Sequence, residues 1–256
     1  MRLLSGANCT KPNWRKRYVV NSFGLLLPTV VLTATAVTMI QVFARSPGHI
    51  NATELLALLA LVVTTSFVGF IDDLIGNRVI GGLRGHFSQL RFGIMTTGTL
   101  KAIVGFAIAV IIAGFVSTNI IVFLTNAAVL TLSMNAANLF DLRPGRAIKV
   151  FSLATAATFI ATWSSSFWGF WGLIIPPVAG LLWGDLKEHS MMGDAGSNAL
   201  GAILGFAFVI NLSETANLVI LGVLVGLHLI TEKYSISNFI EKAPILKQLD
   251  ELGLKQ

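Results

Sequence analysis

Cysteine is almost absent: Cys9 is the only one in 256 residues, so no internal disulfide can staple the chain. Charge is scarce as well. Asp, Glu, Lys and Arg make up 12% of the residues against 54% apolar ones, a balance that excludes an ordinary soluble domain of this length. There is no internal repeat, no low-complexity tract and no polar linker, so the chain reads as one integral membrane domain over 1–256. No small-residue cleavage site follows the first apolar stretch, which is also too long for a signal-peptide core and is read as a span.

What the chain has is long apolar runs, with a mean hydropathy of +0.78. Eight stretches stand out, roughly 22–43, 54–71, 98–116, 119–135, 148–163, 168–183, 198–212 and 217–231. Most approach the ~20 residues a helix needs to cross ~30 Å of hydrocarbon; 148–163, 168–183 and 198–212 run short. The expected fold is all-α, a polytopic membrane helical bundle of about eight transmembrane helices. A net charge of +6 would suggest nucleic acid in a soluble chain, but here it reports orientation, and no nucleic-acid partner is expected. The side holding 1–21 carries 17 of the 18 Lys and Arg residues, and only Arg45 lies opposite. Both termini are therefore expected in the cytoplasm, with 1–21 a cytoplasmic segment and 233–256 a cytoplasmic, interfacial tail.

With that topology the polar residues sort to one face. Asp72 and Asp73 end the second span in "SFVGFIDDLIG". The fourth ends in "SMNAANLFDLRPG", with Asn135, Asn138 and Asp141 three apart along one side of a helix end. The sixth leads into "GDLKEHSMMGDAGSNALG", with Asp185, Glu188 and Asp194. Hard divalent cations prefer oxygen ligands, commonly one or two carboxylates plus water and substrate phosphates, and Asp73, Asp194 and Asn138 are candidate ligands. Successive helical positions differ by about 100°, so Asp72 and Asp73 are suited to different tasks, one near the metal and one accepting a proton or positioning a nucleophile. Gly193, Ala195, Gly196 and Ser197 stand where the seventh span starts, and exposed amides at a helix N-terminus favour phosphate. This pattern suggests metal-assisted phosphoryl transfer at the bilayer surface.

Each element also has a plainer reading that the sequence leaves open. An Asp-Asp pair can be a solvated helix boundary, the asparagines can only end a helix, and Gly193 to Ser197 can be a loop and cap. Lys101, one turn inside the third span, either snorkels to the interface or meets a phosphate. His228 reads as a packed, hydrogen-bonded histidine rather than a ligand, Asn126 as a helix-joining residue, and Pro176 and Pro177 as a kink. A transporter is disfavoured because the carboxylates gather at one surface and leave the mid-span regions nearly free of charge.

"GFIDDLIG", "NAANLFD" and "MMGDAGSNALG", in that order on alternate loops, resemble the motifs of the polyprenyl-phosphate N-acetylhexosamine-1-phosphate transferase family (glycosyltransferase family 4). The resemblance covers about 60–205 and extends weakly to "RYVVNSFGLLLP". It implies transfer of a sugar-1-phosphate from a UDP-sugar to a polyprenyl phosphate with release of UMP, in peptidoglycan or other surface-glycan synthesis. The implied cofactor is Mg²⁺, with Mn²⁺ an open substitute, and the implied place is a bacterial plasma membrane with the site facing the cytoplasm. A homodimer is left open. By motif position, Asp72 and Asp73 match the pair that engages polyprenyl phosphate and assists its attack, Asp194 the Mg²⁺ aspartate, Asn138 a metal or pyrophosphate contact, and Asp141 the aspartate after it. The loop with Arg84, His86 and Arg91 falls where the family places basic residues facing phosphate.

Three departures limit what the resemblance carries. After Asp141 the family usually continues Gly-Leu-Asp-Gly-Leu, whereas this chain has Leu142, Arg143, Pro144, Gly145 and Arg146. Many bacterial members carry a histidine-rich sugar-selecting motif in a late loop, and the corresponding region here has no histidine. Familiar members also have more spans than the eight marked. The alternative left open is a catalytically altered relative that binds polyprenyl phosphate or a partner enzyme without turnover. In the tail, Ile236, Phe239, Ile240, Ile245, Leu246, Leu249 and Leu252 have spacings suited to a helix lying on the membrane or packed on the protein's own loops.

Overall fold

The computed structural model describes residues 2–6, 9–43, 52–76, 89, 91–162 and 165–254. After a short α1 (Arg2–Gly6), strands β1 (Thr10–Pro12) and β2 (Tyr18–Val20) pair antiparallel, with Lys11 opposite Val19. Long helices follow: α2 (Leu26–Phe43), α3 (Ala52–Ile75), α4 (Thr97–Val116), α5 (Ile120–Phe140), α6 (Arg146–Thr162), α7 (Ser165–Leu186), α8 (Gly193–Asn211) and α9 (Glu214–Thr231). Two short helices, α10 (Ile236–Lys242) and α11 (Pro244–Glu251), form the tail.

The protein is an all-α polytopic membrane bundle, and a helix occupies each of the eight apolar stretches. Among the described residues six are long and apolar enough to cross a membrane: the segment Phe23–Gln41, α3, α4, α5, α8 and α9. The 17-residue α6 and the apolar part of α7, Ile174–Leu186, are shorter. Pro176 and Pro177 both lie inside α7. The small hairpin was not foreseen, because a three-residue strand carries no periodicity to read.

The core forms around α8, the most deeply buried of the six, which packs chiefly on α3 and α5. Its small residues permit this. A Cβ on Gly201 would lie 2.3 Å from the Ser133 carbonyl oxygen, and one on Gly24 would lie 2.0 Å from Cα of Gly196, so backbones touch where side chains would hold them apart. Leu58, Leu130, Leu200, Ile203 and Phe206 fill the space between. Phe67, Phe115, Ile121 and Val223 instead face outward, as lipid-facing positions do.

The tail packs on the protein along one edge. Ile240 and Asp250 are buried, while Ile245 and Leu252 stay exposed. The buried Arg146 guanidinium donates to both Asp250 oxygens at 2.7 and 2.8 Å and to Ser237 Oγ at 2.9 Å. Lys149 Nζ donates to the carbonyls of Leu249 and Asp250.

Candidate active site

Helix ends from across the chain meet at one end of the bundle around an open cleft of about 1270 Å³. Asp72 and Asp73 come from the C-terminal end of α3, Asn138 and Asp141 from that of α5, and His228 and Thr231 from that of α9. The N-terminal ends of α4 and α8 supply Thr97, Lys101, Gly193 and Asp194. C-terminal ends meeting N-terminal ends is what spans of alternating direction require, so this geometry agrees with the loop assignment from charge.

Lys101 joins two of the carboxylates. Its Nζ lies 2.6 Å from Asp194 Oδ2 and 3.3 Å from Asp72 Oδ2, with all three side chains partly open to the cleft. Thr96, whose Oγ1 accepts from the Thr99 amide at 3.1 Å, caps α4 and sets where its first turn begins. Lys101 therefore does not snorkel away; among the described residues it is the cation that pairs with these carboxylates.

Asp73 turns elsewhere. It is buried and its two oxygens accept four hydrogen bonds, from Asn21 Nδ2 (3.0 Å), Ser22 Oγ (2.8 Å) and the amides of Asp194 (3.0 Å) and Ala195 (3.1 Å). A carboxylate offers about four lone-pair positions, and these four hydrogen bonds occupy them. Asp73 is the anion at the N-terminus of α8, satisfying amides that start a helix without partners of their own. Gly193 makes this fit: its φ of +71° suits glycine, and a Cβ there would come 2.5 Å from Asp73 Oδ2.

The phosphate role expected of Gly196 and Ser197 is displaced for the same reason. Gly196 is packed against Gly24, and the fully buried Ser197 donates from Oγ to Asn138 Oδ1 at 3.1 Å. Asn135, Asn138 and Asp141 do share the cleft, as their spacing of three predicted. Arg84 and His86 lie outside the described residues, and Arg91 is exposed away from the cleft lining. Asp185, a carboxylate on the same face, accepts from the Gly145 amide at 2.7 Å and fixes the loop after Asp141.

The sequence reading missed the hairpin at the rim. The amide of Met191 donates to the Val20 carbonyl at 2.7 Å, which docks the hairpin on the loop before α8 and brings Asn21 and Ser22 to Asp73. Asn13 Nδ2 and Arg15 Nε both reach the Glu188 carboxylate at 3.1 Å. Trp14 packs against the guanidinium groups of Arg15 and Arg143, 4.7 and 5.7 Å from its ring centre, while Arg143 also pairs with Glu241 of the tail. The faint likeness in "RYVVNSFG" was the only sequence signal for this region.

Among the described residues no three His, Cys, Asp or Glu side chains gather closely enough to hold a metal by themselves. The donor set, two cleft-facing carboxylates beside amide oxygens, is nonetheless of the hard-oxygen kind. It fits an ion that takes one or two protein carboxylates and completes its shell with water and substrate phosphates.

No family model matches the chain. Curated phospho-N-acetylmuramoyl-pentapeptide-transferases from Borreliella burgdorferi strain ZS7 and Borrelia garinii subsp. bavariensis are each 27% identical to it over 233 residues. The chain is similar to phospho-N-acetylmuramoyl-pentapeptide-transferases. The match covers 77% of this chain and 66% of each relative, a little under two thirds of their length. These relatives bear out the family resemblance drawn from the three motifs. Where the chain departs from that family after Asp141, the two arginines bond away from Asp72 and Asp194: Arg146 holds the tail, and Arg143 bridges tail and hairpin.

Proposed function

We propose that the protein transfers an N-acetylhexosamine 1-phosphate from a UDP-sugar to a membrane polyprenyl phosphate, giving a polyprenyl-diphosphate-sugar and UMP in cell-wall or surface-glycan synthesis. The observation that carries this reading is the meeting of Asp72, Asp194 and Lys101 in a cleft that Asn138 and Asp141 also line, at one end of a membrane bundle. An oxygen of the lipid phosphate attacks the sugar-proximal phosphorus in line; the new P–O bond forms as the P–O bond to UMP breaks, and UMP leaves with the electron pair. No covalent enzyme intermediate is needed, so the work is positioning and charge stabilisation.

Lys101 is placed to contact the phosphates, and Asp72 and Asp194 to orient it. Asp194 and Asp72, with Asn138 beside them, would hold Mg²⁺ or Mn²⁺, which when bound supplies charge neutralisation for the pyrophosphate. Asp73 acts through α8: by bonding the amides of Asp194 and Ala195 it fixes where the Asp194 carboxylate starts its reach into the cleft. The site faces the cytoplasm of a bacterial plasma membrane, where charged nucleotide sugars are available and the polyprenyl chain stays in lipid.

A relative that binds polyprenyl phosphate or a partner enzyme without turnover is the second reading, favoured by the rebuilt loop at Arg143 to Arg146. One assay separates the two. Purified protein in lipid nanodiscs, given undecaprenyl phosphate, Mg²⁺ and a panel of UDP-sugars, is expected to release UMP and form a lipid-linked sugar from at least one of them. Saturable lipid binding with no UMP from any sugar would leave the binding role standing and remove the transferase.

A further inference from the structure

His228 is buried on α9, one helical turn beyond Leu224, and lines the same cleft as the charged cluster. Its Nδ1 lies 2.7 Å from the Leu224 carbonyl oxygen. A carbonyl can only accept, so Nδ1 carries the hydrogen and, in the neutral ring, Nε2 presents a lone pair. Nε2 is buried and has no hydrogen-bond partner among the described residues. A polar atom so placed is costly unless something completes it, and in the neutral ring the tautomer set by Leu224 calls for a donor.

That requirement sorts the candidate ligands. Ionised phosphates and pyrophosphate offer only acceptors, and a polyprenyl tail offers nothing polar. The uncharged part of a nucleotide sugar carries O–H and N–H donors in its hydroxyl, acetamido and uracil groups. Thr131 and Asn135 of α5 and Thr231 of α9 line the cleft with His228, a neutral polar wall in contrast to the charged cluster of Asp72, Lys101 and Asp194. We propose that His228 Nε2 accepts a hydrogen bond from an O–H or N–H of the nucleotide sugar, making His228 a donor-reading residue of the cleft. It stands in a chain whose late loop lacks the family's histidines. This inference rests on the donor-substrate reading above.

Three proteins test it at about pH 8: wild type, His228→Phe and His228→Gln. Phenylalanine keeps a ring but no acceptor, whereas glutamine carries its terminal oxygen to about the reach of Nε2. Direct binding of UDP-N-acetylglucosamine and of UMP is measured in nanodiscs alongside UMP release, with melting curves showing that each variant is folded. His228→Phe is expected to weaken UDP-sugar binding by about tenfold or more, with His228→Gln recovering most of it. Loss confined to the UDP-sugar places the contact on the sugar, and equal loss for UMP places it on the uridine. Wild-type turnover reproduced unchanged by folded His228→Phe overturns this inference alone. Failure of wild type to bind or turn over any nucleotide sugar overturns the donor reading and this inference with it.

Discussion

Asp72 and Asp73 differ by one residue and by what lies opposite them. The step of about 100° along α3 aims Asp72 at Lys101 in the cleft and Asp73 at the start of α8. Asp73→Asn puts an amide N–H against the backbone N–H groups of Asp194 and Ala195, so donors face donors. It is expected to cost about 2–3 kcal/mol of stability and to lower the melting temperature in detergent. Asp194→Asn keeps the Lys101 pair with Asp72, so it should melt near wild type while UMP release is abolished. Paired melting curves and turnover measurements decide; an Asp73→Asn variant that melts like wild type yet is inactive would assign Asp73 to chemistry instead. Helical spacing alone separates the directions of the two aspartates but does not say what lies opposite each. Asp73's partners lie 52 and 121 residues away in the chain, beyond anything helical spacing can report.

At the scale of elements, the tail shows how one pattern can serve two surfaces. The apolar spacing of Ile245, Leu249 and Leu252 was legible, and so was a helix; what it could not show was that Asp250, on a different side, would be buried against Arg146. Burial pushes the Asp250 carboxyl up, but hydrogen bonds from Arg146 and the charges of Arg146, Arg143 and Lys149 outweigh it and hold the group below the usual carboxylate range. A carboxyl lowered in the folded state adds stability that is complete above its unfolded value of about 3.9 and is lost as pH falls through the lower folded value. Tail docking is therefore expected to be constant from neutral pH down to about pH 4 and to weaken below it. Asp250→Asn should loosen it at neutral pH, by about 3 kcal/mol because Arg146 is left buried without its charge partner. Limited trypsin digestion at pH 7, probing the exposed Lys247, should clip Asp250→Asn faster than wild type. Equal clipping would mean that the contacts of Lys149 and Ser237 hold the tail without the ion pair.

At the scale of the whole molecule, the most legible features were those set by the bilayer as a solvent. A helix must satisfy its backbone internally and present about 20 apolar residues, so the spans show in composition alone. That the three acidic loops share one end of the bundle followed from alternating direction, and the cleft lined by Asp72, Asn138 and Asp194 agrees with it. The hairpin and its grip on Asp73 were hidden because short strands and backbone amides leave no pattern in side-chain type. Which face of the membrane this end occupies is a separate matter, argued from Lys and Arg lying almost wholly on one side. Cysteine scarcity makes it testable. With the buried Cys9 changed to Ser, a single cysteine at exposed Tyr234, beyond α9, or at exposed Thr118, between α4 and α5, reports its own side. A membrane-impermeant maleimide added to intact spheroplasts should label Thr118→Cys and leave Tyr234→Cys unlabelled until the membrane is opened. The reverse pattern would put the cleft outside the cell, away from cytoplasmic nucleotide sugars, and would remove the UDP-sugar reaction with it.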